Sequence, residues 1–230
     1  MKVLVTGGNG QLGSELHKIS TNYYFEWVFT NHQSFDISDL DKINLYLNEC
    51  KPNIIINCAA YTSVDKAEDD FKNAYIINQS AVELIAKWSN ENNCKLVHIS
   101  TDYVYDGNSL LPYNETDHTN PLNNYGKSKL LGDIGCQKNN PLSIIIRTSW
   151  LYSSFGNNFL TKMINIMQDS EEIKVINDQF GSPTYAGDLA NVILILIKNK
   201  KWQPGIYNYT NRGNISWYDF ANEIKSIYGF

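Results

Sequence analysis

The chain has few cysteines, no block of basic residues and no long apolar run, and each shortage removes a class of protein. Four cysteines stand among 230 residues, Cys50, Cys58, Cys94 and Cys136, with no C-x-x-C pair. That spacing supports neither a zinc site nor a disulfide scaffold, so no metal is expected and the thiols read as reduced and partly buried. Lys and Arg total 19 against 24 acidic residues, a formal net charge of −5, without the clustered cations that a phosphate backbone requires. Nucleic acid is therefore not an expected partner. The longest aliphatic run, Val192 to Ile197, is too short to span a bilayer. Met1-Lys2-Val3-Leu4-Val5-Thr6-Gly7 passes straight into glycines, without the longer apolar region and cleavage site of a secretion signal. No membrane is expected, and a soluble, cytoplasmic protein is.

What is present is an alternation of short β-rich runs with helical patterns. A strand over Lys2–Thr6 is followed by a helix carrying Leu12, Leu16 and Ile19 on one face, then by a strand near Phe25–Thr30. Ser38 precedes a helix with Leu40, Ile43 and Leu47, and Asp41 stands where it would complete a capping box. Ile54-Ile55-Ile56 does not alternate and reads as a parallel strand buried on both faces. A helix bearing Ala81, Leu84, Ile85 and Trp88 follows, then strands Lys95–Ile99 and Leu142–Arg147 around a polar loop and a helix starting near Asn124. This order is that of an α/β protein with a doubly wound parallel sheet, the Rossmann arrangement. Beyond Trp150 the pattern loosens: a helix around Phe159–Met167, a strand near Ile173–Ile176, a helix through Leu189–Ile197, a strand Ile206–Tyr209 and a last helix with Trp217, Phe220 and Ile224. Residues 1–150 are expected to form a dinucleotide-binding domain and 151–230 a smaller substrate lobe, with about 183–198 packing back on the first domain.

Three motifs carry chemistry. Gly7-Gly8-Asn9-Gly10-Gln11-Leu12-Gly13 fits G-x-G-x-x-G from Gly8 and G-x-x-G-x-x-G from Gly7, between a predicted strand and a predicted helix. Glycines there allow a tight turn and close approach of a pyrophosphate to a helix N-terminus. The end of the second strand, Thr30-Asn31-His32-Gln33, offers neither the carboxylate that selects NAD nor an Arg for a 2′-phosphate, so NADPH and NADH both stay open. Asp36-Ile37 stands a little later, either at an adenine edge or capping the start of a helix. Tyr125-Gly126-Lys127-Ser128-Lys129 places a phenol and an ammonium one helical turn apart. A nearby cation is expected to lower the phenol toward working pH and make Tyr125 a proton donor to a carbonyl oxygen as hydride arrives. Ser100-Thr101-Asp102 follows a strand where ligands of such sheets bind, and Thr101 is the candidate to hydrogen-bond that oxygen.

Together these residues resemble the extended short-chain dehydrogenases, and within them the dTDP-4-dehydrorhamnose reductases. The resemblance covers nearly the whole chain through VTGGNGQLGSEL, NCAAYTSVDKAE, STDYVYDG, PLNNYGKSKLLG, RTSWLYSSFGNNF and VINDQFGSPTYAGDLA. It implies a catalytic triad at Thr101, Tyr125 and Lys129, and NADPH or NADH reducing the 4-keto group of dTDP-4-dehydro-L-rhamnose to dTDP-L-rhamnose for a surface polysaccharide. It implies a pyrophosphate loop at Gly7, Gly10, Gln11, Leu12 and Gly13 and an adenine contact at Asp36 and Ile37. Cys58, Ala59, Ala60 and Tyr61 would line the cofactor, with Asn78 and Lys129 near the nicotinamide ribose. Asp102 and Trp150 align with residues facing the sugar, Trp150 equally with a core aromatic at the domain junction.

Two departures from the family pattern are visible. Family members continue for several dozen residues past the stretch ending at Phe230, so the substrate lobe is expected to be incomplete. Some members dimerise through magnesium held by glutamates, one of which resembles Glu15, but Gly187 stands at the second such position. A magnesium-bridged dimer is therefore not expected, Glu15 is read as a solvated carboxylate near the start of its helix, and a homodimer of another kind is left open. Two other readings remain: a cofactor-binding regulatory relative without activity, and a reductase or epimerase of another nucleotide sugar.

Overall fold

The computed structural model describes residues 1–199 and 201–230. In chain order it runs β1 (Lys2–Thr6), α1 (Gln11–Ser20), β2 (Glu26–Phe29), α2 (Leu40–Cys50), β3 (Ile54–Asn57), α3 (Lys66–Asp69) and α4 (Phe71–Tyr75). A π-helical turn, Ile76–Ser80, leads into α5 (Ala81–Glu91), β4 (Lys95–Thr101), a 3-10 turn Asp102–Val104, α6 (Asn124–Asn139) and β5 (Ile144–Thr148). The remainder is β6 (Leu151–Tyr152), α7 (Phe159–Asp169), β7 (Phe180–Gly181), β8 (Thr184–Tyr185), α8 (Ala186–Lys198), β9 (Gly205–Asn208), β10 (Ile215–Ser216) and α9 (Trp217–Tyr228).

Six strands form one parallel sheet in the order β2-β1-β3-β4-β5-β9. The direction of winding reverses between β1 and β3, and such a switch point opens a crevice at the C-terminal strand ends. Helices on both faces explain why the strands read as aliphatic runs rather than alternating ones. Ile55, with Leu4, Leu96 and Ile145, meets α2, α5 and α6 through Ile43, Leu47, Ile85 and Cys136. Ile54 and Ile56, with Val3, Val5, Val97, Ile144 and Ile146, face the other way, onto Leu12 and Leu16 of α1 and Leu189, Ile193 and Leu194 of α8. A third cluster sits apart, where α7 and α9 pack Met163, Phe220 and Ile224 against Trp150, Tyr152, Phe159 and Trp217. Both helices of that cluster begin with reciprocal capping, Asn158 with Thr161 and Ser216 with Asp219. Among the described residues, no helix is long and apolar enough to cross a membrane.

Two local expectations fail. Residues 173–176 form no strand; the segment runs irregularly, and Ile176 uses its carbonyl to accept the Tyr218 backbone N–H, so no neighbouring strand satisfies it in a ladder. The Ser38–Asp41 capping box does not form either, because the Ser38 hydroxyl and N–H both turn to Asp36 Oδ1, at 2.7 and 2.9 Å. The helix starts a residue later, after Asp39.

Candidate active site

The glycine loop is shaped by contacts that leave no room for side chains. Gly7 has φ +65°, and a Cβ there would lie 2.8 Å from the Ala59 backbone nitrogen, so the turn after β1 sits directly on the segment after β3. A Cβ on Gly13 would overlap the Gly7 carbonyl oxygen and the Gly8 backbone. Gly8 N–H donates to Thr30 O at 2.6 Å, which ties the loop to the end of β2. No side chain caps α1 at Gly10, so its first N–H groups stay available at the positive end of the helix dipole. Leu12 is buried in the core, while Gln11 holds Oε1 buried without a hydrogen-bond partner.

Thr101, Tyr125 and Lys129 converge at the C-terminal end of β4. Thr101 is the last residue of the strand; its Oγ1 donates to Asp102 Oδ1 at 3.2 Å and accepts from the Tyr103 N–H, fixing the rotamer. The Asn123 side chain caps α6 by accepting the Gly126 N–H at 2.7 Å, so the helix begins with Tyr125 in its first turn. Burial pushes the Tyr125 phenol above its ordinary range; the Thr101 hydroxyl pulls against this, and the charges of Asp102 and Asp133 add to it. The expected lowering toward working pH is therefore overturned, because burial outweighs any help from Lys129. Lys129 is 2% exposed and turns Nζ to the Ile99 carbonyl at 2.7 Å, and burial holds it down at about 8. Tyr125 is consequently protonated near neutral pH, the form that can give a proton away.

The surrounding residues divide into those that border this centre and those that hold it. Cys58 borders it; its thiol is pushed up to about 12 by burial against a smaller opposing pull from Lys129, so it is neutral and unreactive. Asn78, 1% exposed in the π-helical turn, accepts the Tyr61 N–H and donates to Tyr61 O and Ser128 Oγ. Both its amide hydrogens are thus committed to clamping the segment of Ala59, Ala60 and Tyr61 against α6. Asp102 is half-buried, and desolvation raises its carboxyl to about 6 despite the Thr101 hydroxyl and nearby N–H groups. Asp36 forms the turn before α2; burial opposes its ionisation, but hydrogen bonds from Ser38 and the charges of His32 and Lys42 hold its carboxyl below the ordinary value. Ile37 is buried in the core with Phe35.

Trp150 has the left-handed φ of +46° and stacks on Trp217 at 3.5 Å between centroids, over Gly181, where a Cβ would strike the indole. It belongs to the α7–α9 cluster. Glu15 is not solvated: it is 1% exposed, in the second turn of α1, and accepts the Ser153 hydroxyl at 2.7 Å. A chain separation of 138 residues hid that contact from the sequence. At position 187 a Cβ would lie 2.5 Å from the Tyr185 ring, so a longer residue there requires that ring to move. Sequence reasoning also passed over Thr148, which pairs in register with Thr101 and keeps Oγ1 buried without a partner, and over the buried Asp133–Arg147 pair. Position at a strand's C-terminal end was a usable signal for Thr148.

A doubly wound sheet, a glycine-rich turn at its switch point and a Thr, Tyr and Lys gathered at the end of β4 define an oxidoreductase of the short-chain dehydrogenase class. Within that class the family model described as the RmlD substrate binding domain matches residues 1–229, and the chain belongs to that family. A dTDP-4-dehydrorhamnose reductase of Aggregatibacter actinomycetemcomitans is 40% identical over 228 residues, covering 97% of this chain and 78% of the relative. Two crystal structures of dTDP-4-dehydrorhamnose reductases are similar throughout, each matching 100% of this chain and 81% of the other. One, from Clostridium acetobutylicum, has a TM-score of 0.95 at 43% identity. The other, from Bacillus anthracis in complex with NADP, has a TM-score of 0.94 at 39% identity.

Proposed function

We propose that this protein reduces the 4-keto group of dTDP-4-dehydro-L-rhamnose to give dTDP-L-rhamnose, using NADPH or NADH, in cytoplasmic nucleotide-sugar biosynthesis for a polysaccharide. The observation that carries the reading is the convergence of Thr101, Tyr125 and Lys129 at the β4 end in a chain whose 40%-identical relative bears the reductase name. The cradle of Gly7, Gly10 and Gly13 below an uncapped helix N-terminus fits a pyrophosphate. Gln11 and Leu12 complete that loop, and Cys58, Ala59, Ala60 and Tyr61 form the opposite wall, held by Asn78. A bound reduced nicotinamide supplies the hydride. Thr101 holds the ketone oxygen by a hydrogen bond, and Tyr125, protonated at rest, gives that oxygen its proton as the carbon is reduced. Lys129 stabilises the phenolate left behind. Asp102 faces the sugar, and Trp150 supports the lobe that covers it. Residues 1–150 carry the cofactor and 151–230 the sugar side.

The test mixes the purified protein with NADPH and dTDP-4-dehydro-L-rhamnose and follows the reduced-nicotinamide absorbance. Wild type consumes the cofactor. Tyr125→Phe slows turnover by about a hundredfold or more, as loss of a general acid does, while cofactor affinity by fluorescence titration stays within about twofold. Undiminished rate in the variant sinks the assignment, and cofactor binding by wild type without consumption favours a regulatory relative.

A further inference from the structure

A third residue continues the Tyr125 and Lys129 stripe of α6. Asp133 lies four residues past Lys129 and is 1% exposed. Arg147 of β5, also buried, donates from Nε to Asp133 Oδ2 at 3.1 Å and from Nη1 to Tyr105 OH at 2.9 Å. On the other side His98 of β4 brings Nε2 to 3.8 Å from Asp133 Oδ1, while its Nδ1 meets Asn57 Nδ2 at 3.1 Å. Asn57 accepts the Thr6 hydroxyl at 2.6 Å, and that hydroxyl oxygen receives the Ala59 N–H. A buried polar chain therefore runs beneath the site, from the wall of the glycine loop to Tyr105. It contains two cationic side chains, Lys129 and Arg147, and one carboxylate.

The groups that face Lys129 make that carboxylate decisive. They are Asp133 and Cys136 on α6, Cys58 after β3 and His98 on β4. The two thiols are pushed up to about 12 and are neutral. Burial, with help from Lys129, holds His98 well below its ordinary value, so it too is neutral. Burial pushes the Asp133 carboxyl up, and Ser100, Arg147 and Lys129 pull it back. Asp133 is the carboxyl group that these two buried cations share, with Glu115 also facing Arg147, and removing one partner of such a set exposes the others to an uncompensated charge.

We propose that Asp133 is a positioning residue for the reduction: its carboxylate, held ionised by Arg147, keeps Lys129 protonated. The proposal rests on Lys129 serving Tyr125. Replacing Asp133 by Asn leaves the ammonium without its buried anion, and replacing Arg147 by Gln removes the cation that holds that anion ionised. Both variants therefore destabilise the ammonium, while Asp133→Glu, which keeps the charge, restores it, a pattern that a merely structural role would not produce.

The experiment follows 13Cε-labelled lysine by NMR against pH in the cofactor-free protein, with Lys129 assigned by its loss in Lys129→Met. The wild-type signal titrates near about 8. Asp133→Asn lowers that midpoint by about one to three pH units, as expected when a nearby opposite charge is removed, and Arg147→Gln lowers it too by releasing Asp133 toward its protonated form. Asp133→Glu returns it toward wild type. In turnover, the alkaline limb of kcat/KM moves with the midpoint in each variant. An unmoved or raised midpoint in Asp133→Asn, or one that Asp133→Glu does not bring back, overturns the proposal. Should Asp133→Asn not fold, Arg147→Gln decides alone, and an unmoved or raised midpoint overturns it. Retained turnover in Tyr125→Phe would overturn the catalytic reading instead, leaving the NMR midpoints to be judged separately.

Discussion

Lys129 is the residue at which function and stability pull apart. Its ammonium is 2% exposed, accepted by one backbone carbonyl, and burial holds it at about 8 against an ordinary value of 10.5. Folding therefore disfavours the protonated form. Below about pH 8 both folded and unfolded chains carry the proton and the penalty is complete; above about 10.5 neither does, and it is gone. The favourable contribution is thus present at alkaline pH and lost as pH falls through the folded value. A depression of this size corresponds to about 3 kcal/mol. Lys129→Met should then melt several degrees above wild type at pH 7 by calorimetry of the cofactor-free protein, with the difference closing toward pH 10.5 and turnover lost throughout. A lower melting temperature for the variant at pH 7 would contradict the argument. Tyr125 and Lys129 were legible in the sequence because i,i+4 spacing alone puts two side chains on one helical face. The direction of the Tyr125 shift was not, since it depends on where Nζ turns and on how much solvent the ring loses. The buried state of Glu15 was hidden for the same reason, its partner Ser153 lying in a different part of the chain.

At the scale of elements, α6 is set by close approach to its neighbours rather than by its own amphipathicity. Its Gly126 lies against the Tyr103 carbonyl, Gly132 against the Asn78 carbonyl and Gly135 against the Glu83 side chain, each so close that a Cβ would overlap. Tyr125 and Lys129 ride on that close approach, and Gly132 faces the π-helical turn that also holds Asn78. π turns concentrate at functional sites because the extra residue redirects a side chain, here the amide that clamps Tyr61 to α6. Gly132→Ala should push α6 away from that turn. The expected cost is about 1–3 kcal/mol, as for overpacking, read as a lower denaturation midpoint, together with a fall in kcat that exceeds any rise in cofactor KM. Wild-type kcat in a destabilised variant would show that the helix position tolerates the shift. The longer helices and the sheet strands were legible from period and aliphatic runs, including Ile54–Ile56 and the last helix, whereas the short α3 and α4 were not. The π turn was not, since Ile76–Ser80 has no periodic signature. The supposed strand at 173–176 had the right residue types and no partner to pair with.

The whole molecule is less divisible than its sequence pattern implies. The pattern shifts near residue 150, yet α8, which lies beyond it, covers the sheet face formed by Val3, Val5, Ile54, Ile56, Ile144 and Ile146. Within α8, Leu189, Ile193 and Leu194 are fully buried and Ile197 is 3% exposed. At about 1.5–3 kcal/mol for each buried aliphatic side chain, these four contribute on the order of 6–12 kcal/mol. That is comparable with the net stability of a typical domain, about 5–15 kcal/mol. The sheet edge depends on the later chain as well, because β9 pairs along β5 from Ile144 to Arg147. A fragment spanning residues 1–150 retains the glycine loop, Thr101, Tyr125 and Lys129, and it lacks the α8 share of the cover on one sheet face and the strand beside β5. It should therefore bind an apolar dye such as ANS, show no cooperative thermal transition by near-ultraviolet circular dichroism, and fail to bind NADPH at concentrations where the 230-residue chain does. A sharp melt in that fragment would mean that α1, α2, α5 and α6 suffice to hold the sheet. In the intact chain, Ile193→Ala tests the same contact more gently, with an expected loss of about 2–5 kcal/mol in denaturant unfolding. A loss well below that range would show that α8 can settle onto the sheet without this side chain.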